Sequence, residues 1–336
     1  MRILGIETSC DETSVAVVDG MRDALVNLVY SQVDHTRFGG IVPEIASRQQ
    51  LKKLPPLYIQ ALHDASLKLS DMDGIAVTMG PGLVGSLLVG VNFAKALSYS
   101  SGLPLLGINH LEGHIFSNYV ASPRLEPPFI ALIVSGGHTV LLHVRNYLDY
   151  KILGQTRDDA AGEAYDKVSK LLGLGYPGGK VIDDLSKKGN PNFHKFPRAF
   201  LKDKSYEFSF SGLKTAVVLY VKEKGPEFVE ENLPDICASF QEAVVDVLVS
   251  KVMLAAYNLK ISKIVLAGGV AANSRLREKL IFKSEKKKIE VHYPPPILCT
   301  DNAAMIASAG HRRFEKGQKS DFSLNAYPYL PLSGSN

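Results

Sequence analysis

The 336-residue sequence predicts an α/β protein of two lobes, each built on a βββαβα core, and three observations predict it. A meander of three apolar strands opens the chain. The same order of elements begins again after Pro127-Pro128, and glycine-rich turns join strands to helices at matching places in both halves. The lobes are expected at 1–126 and 127–336, facing one another across a cleft, with an insertion around 175–233. Two unrelated α/β domains are the competing reading.

Each element has its own warrant. "RILGIE" (2–7), "SVAVVD" (14–19) and "ALVNLVYSQV" (24–33) are rich in β-branched and apolar residues, separated by the polar loop "TSCDET" and a turn at Gly20. Two helices follow, around 44–51 and through 57–69, then the strand "GIAVT", which runs into Gly80-Pro81-Gly82. The small-residue helix "LVGSLLVGVNFAKALSYSSG" stops at Gly102, and "LPLLGI" feeds the segment "NHLEGHIF". In the second half, "FIALIV", the loop "SGGHT", "VLLHV" and "KILGQT" repeat the meander. The helix "DDAAGEAYDKVSKLLGL" carries acids first and lysines later, as the helix dipole favours. A Gly/Pro-rich loop, "GYPGGKVIDDL", and a polar section to about residue 233 precede the helix "ASFQEAVVDVLVSKVMLAAYNL". Strand "KIVLAG", helix "GVAANSRLREKL", strand "IEVHYP" and helix "DNAAMIASAGHRRFEKG" complete the plan. It is the plan of the actin-like ATPase (ASKHA, sugar-kinase and Hsp70-like) fold.

Composition narrows the class. Hydrophobic residues make up 46% and charged residues 21%, which suits a globular chain rather than a disordered one. The net charge of +4 is too small to diagnose nucleic acid, and the densest basic run, "KSEKKK" (283–288), reads as a solvated loop or helix end. Cys10, Cys237 and Cys299 are scattered, without C-x-x-C, so a disulfide framework and a zinc knuckle are excluded and a reducing cytosol is expected. No signal-peptide layout is present, and the apolar run 83–91 is half the length of a membrane span; no membrane role is expected.

Several residues point to chemistry. The loops "TSCDET" and "SGGHT" are small and polar, fit to turn backbone N–H groups toward phosphates, and Ser135, Gly136 and Gly137 let the main chain approach an anion. Asp11 and Glu12 are candidates for holding a cation or water. In "VLAGGVAANSRL" the pair Gly268-Gly269 and the amide of Asn273 suggest a seat for adenosine or ribose. Asp166, Gly178, Gly179 and Asp183 follow on the middle helix and loop, the two carboxylates suited to ribose hydroxyls. Four residues of helix turn through about 400°, so His110 and His114 share a face and can share an ion, whereas Glu112 lies about 200° away. The zinc-protease spacing H-E-x-x-H is therefore absent. Asp301, placed at the first turn of the last helix and taken as a contribution of the second lobe, is the candidate third ligand. Such a set leaves coordination positions open, as for working Fe²⁺ or Zn²⁺; two ordinary helix histidines are the plain reading.

The motifs "GIETSCDETSVAVV", "GGIVPEIASR", "GPGLVGSLLVG", "NHLEGHI", "LIVSGGHT", "DDAAGEAYDKVSKLLGLGYPGG", "FSFSGLKTA", "LAGGVAANSRLR" and "CTDNAAMIA" resemble the TsaD family in order and over most of the chain. The resemblance implies a cytoplasmic transferase that moves threonylcarbamoyl from threonylcarbamoyl-AMP to N6 of adenosine 37 in tRNAs reading codons that begin with A, forming t6A. It implies metal ligands at His110, His114 and Asp301, with iron the usual ion. It also implies substrate-binding positions at Ile133, Val134, Ser135, Gly136, Gly137, Asp166, Gly179, Asp183 and Asn273. The partners implied are tRNA, TsaB, TsaE and a YrdC-type synthase that supplies the donor. A small-molecule kinase of the same fold, a metallopeptidase and a non-catalytic actin-like scaffold are the rival classes.

Overall fold

All but the first residue of β1 (Arg2–Glu7) are buried, so both faces of this strand are covered and it shows no alternation. The computed structural model describes residues 1–32, 40–199 and 205–332. Val33, the last residue expected in the third strand, and Gly39, the first of the motif at 39–48, lie outside them. So do 200–204 of the expected insertion. The chain continues through β2 (Glu12–Asp19), β3 (Asp23–Ser31), α1 (Pro43–Asp64), β4 (Gly74–Gly80), α2 (Val84–Ser101), β5 (Leu105–Asn109) and α3 (His110–Ala121). The second meander is β6 (Phe129–Val134), β7 (Thr139–Asn146) and β8 (Asp149–Gln155). Five helices follow: α4 (Ala161–Leu171), α5 (Gly178–Ser186), α6 (Ser211–Lys224), α7 (Pro226–Glu231) and α8 (Leu233–Leu259). Then come β9 (Lys263–Ala267), α9 (Ser274–Glu285), β10 (Glu290–His292), α10 (Pro296–Cys299) and α11 (Ala303–Glu315).

Two compact units result: Met1–Glu126 with Tyr147–Asp149 and Pro294–Asn336, and Pro127–Asn146 with Tyr150–Tyr293. Their sheets share one topology, β3-β2-β1-β4-β5 in the first and β8-β7-β6-β9-β10 in the second. In each, the opening strand pairs antiparallel with the second and parallel with the fourth. The duplicated actin-like plan is thus present in strand order as well as element order. The expected lobe at 127–336 needs correction, because residues from Pro294 onward belong to the first unit.

The reason lies in α11. A Cβ on Gly5 would stand 2.3 Å from the carbonyl oxygen of Ala303, and one on Gly310 would stand 2.5 Å from Cβ of Ala76. The small residues of α11 let its backbone lie almost on β1 and β4. The opposite face of the sheet, with Leu4, Ile6, Val15, Val17 and Val77, packs on Leu54 and Ala61 of α1 and Val91 and Ala94 of α2.

Two local expectations also differ. Where two helices were expected, α1 is continuous, with Pro55 and Pro56 inside it. The prolines deprive the carbonyls of Leu51 and Lys52 of partners, but all four residues are exposed, so water serves those carbonyls while Leu54 and Ala61 anchor the inner face. Within the expected loop "GYPGGKVIDDL", α5 forms instead, because Ile182, Asp183 and Ser186 make a buried face. The α2 stop matches its signal: Gly102 has φ of 73°, the left-handed cap that glycine adopts without strain. Among the described residues no helix is long and apolar enough to cross a membrane, and all three cysteines are free.

Candidate functional site

Helix α3 starts directly at the end of β5 because Asn109 caps it, its side chain accepting a hydrogen bond from Leu111 N at 2.9 Å. His110 and His114 therefore occupy the first two turns, both buried, with ring centroids 4.6 Å apart. Asp301 precedes the cap of α11, Asn302, by one residue rather than lying within the helix's first turn. Its Oδ1 stands 3.4 Å from His110 Nε2 and 3.3 Å from His114 Nε2. One ligand atom from each residue falls within 4.8 Å of the others. All three residues belong to the first unit, which corrects the expectation that the carboxylate comes from the other lobe.

The surroundings fit a cation. Among the described residues neither ring nitrogen of His114 makes a hydrogen bond, although the side chain is fully buried. A buried imidazole left so is costly unless something else takes its lone pair. His110 Nδ1 donates to Glu7 Oε2 at 3.0 Å, with Ser9 Oγ 3.1 Å from the same nitrogen, so Nε2 is the atom aimed at Asp301. Glu7 is fixed in turn by Thr78 Oγ1 at 2.6 Å and by Ser9 N at 2.5 Å. This carboxylate–imidazole relay is the usual support of a metal-ligating histidine. Burial opposes charge on His110, yet the Asp301 and Glu7 carboxylates outweigh it and raise its pKa well above the usual value. Burial, with the nearby His110 charge, lowers that of His114. Burial tends to raise the Asp301 carboxyl, but the two imidazoles hold it well below the carboxylate range. Two imidazole nitrogens and an ionised oxygen are a suitable donor set for divalent iron or zinc, with positions left open.

Glu112 faces away from the ion position. It is fully buried and held by Arg313 of α11 through contacts of 2.8 and 2.6 Å. Glu12 lies nearer the donors; burial first, then the Asp301 and Asp11 carboxylates, push its carboxyl well above the usual range. Glu7→Gln is expected to weaken metal binding about 10–100-fold while leaving the fold intact. Metal titration of the purified variant checks this, and an unchanged affinity would remove Glu7 from the ligand support.

In the second unit the nine expected substrate positions adjoin one another around the ends of β6 and β9. Ile133 and Val134 are fully buried at the end of β6, and exposure begins with Gly136 and Gly137 in the loop that follows. A Cβ on Gly268 would sit 2.4 Å from Val134 O, which brings the two strand ends together. Ser135 and Gly136 lie against Gly162 at the start of α4, whose N–H donates to Ser135 O at 3.2 Å, while Gly136, Gly137 and Gly179 each border open space. Asp166 Oδ1 accepts from Gly178 N at 2.8 Å and so ties α4 to α5. Asp183 accepts from Ser274 N and Oγ at 3.2 and 2.8 Å. Asn273 caps α9 through Leu276 N at 2.9 Å and donates to Gln241 Oε1 at 2.7 Å. Both side chains thus fix helices, yet each retains oxygen lone pairs for a ligand. Beside them opens a cavity of about 190 Å³ lined by Gln241, Glu242, Ser274 and Arg275 among others. That is room for part of a nucleotide rather than for a drug-sized ligand of ~300–1,000 Å³.

Glu242 carries the charge balance of this cavity. Burial raises its carboxyl, but Arg275 at 2.8 Å and the contacting Lys279 prevail and lower it. A depressed native pKa gives stability that is present above the unfolded carboxylate value of about 4.3 and lost as pH falls through the native one. Glu242→Gln is expected to lower stability at neutral pH and to flatten its fall below about pH 4.3, the two proteins converging in strong acid. Thermal melts across pH 3–7 check this; an unchanged acid limb refutes it.

The sequence signals missed Glu7, Ser9, Thr78 and Arg313. Only Glu7 announced itself, as a carboxylate directly after the apolar run 3–6. Comparison with known proteins adds identity to geometry. A family model described as "TsaD: tRNA N6-adenosine threonylcarbamoyltransferase" matches residues 23–308. Proteins of that name from Syntrophus aciditrophicus and Clostridium botulinum are 53% and 51% identical over 99% of this chain and 98% of their own length. Among solved structures, T. kodakarensis HypF superposes with TM-score 0.63 at 14% identity, over 94% of this chain and 48% of that one. The Acidaminococcus fermentans (R)-2-hydroxyglutaryl-CoA dehydratase component A gives 0.54 at 16%, over 93% and 98%. At such identities these two likenesses concern the fold alone.

Proposed function

The chain belongs to the TsaD family, the tRNA N6-adenosine threonylcarbamoyltransferases, and on that premise we propose which of its residues serve the transfer. The protein is a transferase that forms t6A in tRNA. We assign one divalent ion, iron before zinc, to His110, His114 and Asp301. We assign the adenylate part of threonylcarbamoyl-AMP to the backbone of Ile133, Val134, Ser135, Gly136 and Gly137 and to Asp166, Gly179, Asp183 and Asn273. The observation that carries the metal is the convergence of three donor atoms within 4.8 Å around a buried imidazole that has no hydrogen bond.

In the transfer, the N6 amine of adenosine attacks the carbamoyl carbon, the bond from that carbon to the phosphate oxygen breaks, AMP leaves and the amine loses one proton. When bound, a divalent ion supplies Lewis-acid polarisation and a template for the donor. Glu7 keeps His110 in the tautomer that presents Nε2. Asp301 brings the negative charge that imidazole ligands lack. The open loop at Gly136 and Gly137 offers N–H groups to the AMP phosphate, and Asp166 and Asp183 offer acceptors to ribose. TsaB, TsaE and a YrdC-type synthase are the proposed partners, and the cytosol is the proposed location, on the strength of the family resemblance. The metallopeptidase reading lacks its base, since Glu112 is sequestered by Arg313.

Purified protein, those partners, threonine, bicarbonate, ATP and unmodified tRNA should yield t6A on nucleoside analysis. Its absence with demonstrably active partners would defeat the assignment. Elemental analysis of the same preparation identifies the ion.

A further inference from the structure

We propose that the paired turns after α8 and α9 form a binding edge for the tRNA phosphate backbone, outside the part of the tRNA that is modified; this rests on the reading of tRNA as substrate. Residues 260–288 contain nine Lys and Arg against two Glu, whereas the whole chain nets only +4. The remainder of the protein is therefore net acidic, and the basic excess is local. Lys260, Lys283, Lys286, Lys287 and Lys288 are exposed, and among the described residues none of the five is in an ion pair.

The fold gathers them. Glu290 N donates to Ser262 O at 2.8 Å, and Glu290 pairs with Lys263 in the β9–β10 ladder, so the two turns lie side by side. The helix ends meet as well, with Ser284 Oγ 3.5 Å from Met253 Sδ. Phe282 and Tyr257 add rings that are 56% and 75% exposed, and Lys286 Nζ sits 4.0 Å from the centre of the Phe282 ring. Cations beside exposed aromatic faces suit phosphates with neighbouring ribose or base. This edge stands at the start of β9, roughly 17 Å of strand from Gly268, so it is separate from the adenylate seat.

Helix dipoles favour a lysine in the last turn, which accounts for Lys283. They do not account for lysines at left-handed positions. Lys260 and Lys288 have φ of 54° and 55°, where glycine is the unstrained residue. Both turns keep a long cation where the backbone alone would favour glycine, which points to a use for the charge.

That conflict supplies the test. The full-length Lys260→Gly/Lys288→Gly variant should melt no lower than wild type, since strain is relieved. Its dissociation constant for an unmodified tRNA transcript near 0.1 M salt should nevertheless rise by about tenfold, and the slope of log affinity against log salt should fall by about two. The tRNA KM should rise with kcat at saturating tRNA retained, and Lys260→Arg/Lys288→Arg should restore binding. Unchanged affinity and slope in a variant whose wild type binds tRNA and forms t6A would overturn the surface alone. Loss confined to binding of a partner protein, or a fall in Tm and kcat with KM unchanged, would overturn it too. A wild type that neither binds tRNA nor forms t6A would sink the functional reading with it.

Discussion

Asp301→Asn is expected to empty the ion site and to slow t6A formation by on the order of a thousandfold, since a Lewis acid contributes several kcal/mol and each ~1.4 kcal/mol is tenfold. The substitution keeps shape and removes charge. Asp301 is the only acid within reach of both imidazole Nε2 atoms among the described residues, and its ionised oxygen lies 3.3 to 3.4 Å from them. Without it, the carboxylate in contact with the pair is Glu7, on the far side of His110. Elemental analysis should fall from about one ion per chain toward none, and single-turnover assays with supplied donor should show the rate loss. A variant with full metal content and wild-type rate would exclude Asp301 as a ligand.

Arg313→Met should destabilise the first unit by about 3–5 kcal/mol, because it strands the Glu112 carboxylate where no water reaches. Burial already raises the pKa of Glu112, with Arg313 opposing the rise. Adding Glu112→Leu to Arg313→Met should recover most of the loss, since an apolar pair of similar volume needs no charge balance. Denaturant unfolding of the single and double variants checks both statements. Equal stability of wild type and Arg313→Met would mean that the pair contributes nothing. A secondary effect follows from position: Glu112 sits between the two histidines on α3 and Arg313 at the far end of α11, so the pair also keeps those helices in register.

The sequence disclosed the fold through signals that need no tertiary context. Apolar runs bounded by turns gave the strands, Gly102 gave the end of α2, and recurrence of order gave the duplication. The histidine pair was readable because helical spacing converts directly into a shared face. Other features depend on contacts that spacing does not encode. Pro55 and Pro56 suggest a break only until their exposure is known. Likewise, α5 looked like a loop because the fold, rather than propensity, rewards its buried face. The allegiance of residues 294–336 was hidden for the same reason, since the fit of Gly5 against Ala303 joins positions almost three hundred residues apart. Arg313 and Thr78 are unremarkable until their carboxylate partners are seen.

The return of the final helix to the first unit has a consequence during synthesis. Both histidines precede Asp301 by almost two hundred residues, so a growing chain acquires the carboxylate long after the two imidazoles. A product of premature termination before Asp301 holds two imidazoles without that carboxylate, an incomplete ligand set for the assigned ion. Metal loading at the assigned ligands should therefore wait until α11 has been made and has folded back onto the first unit.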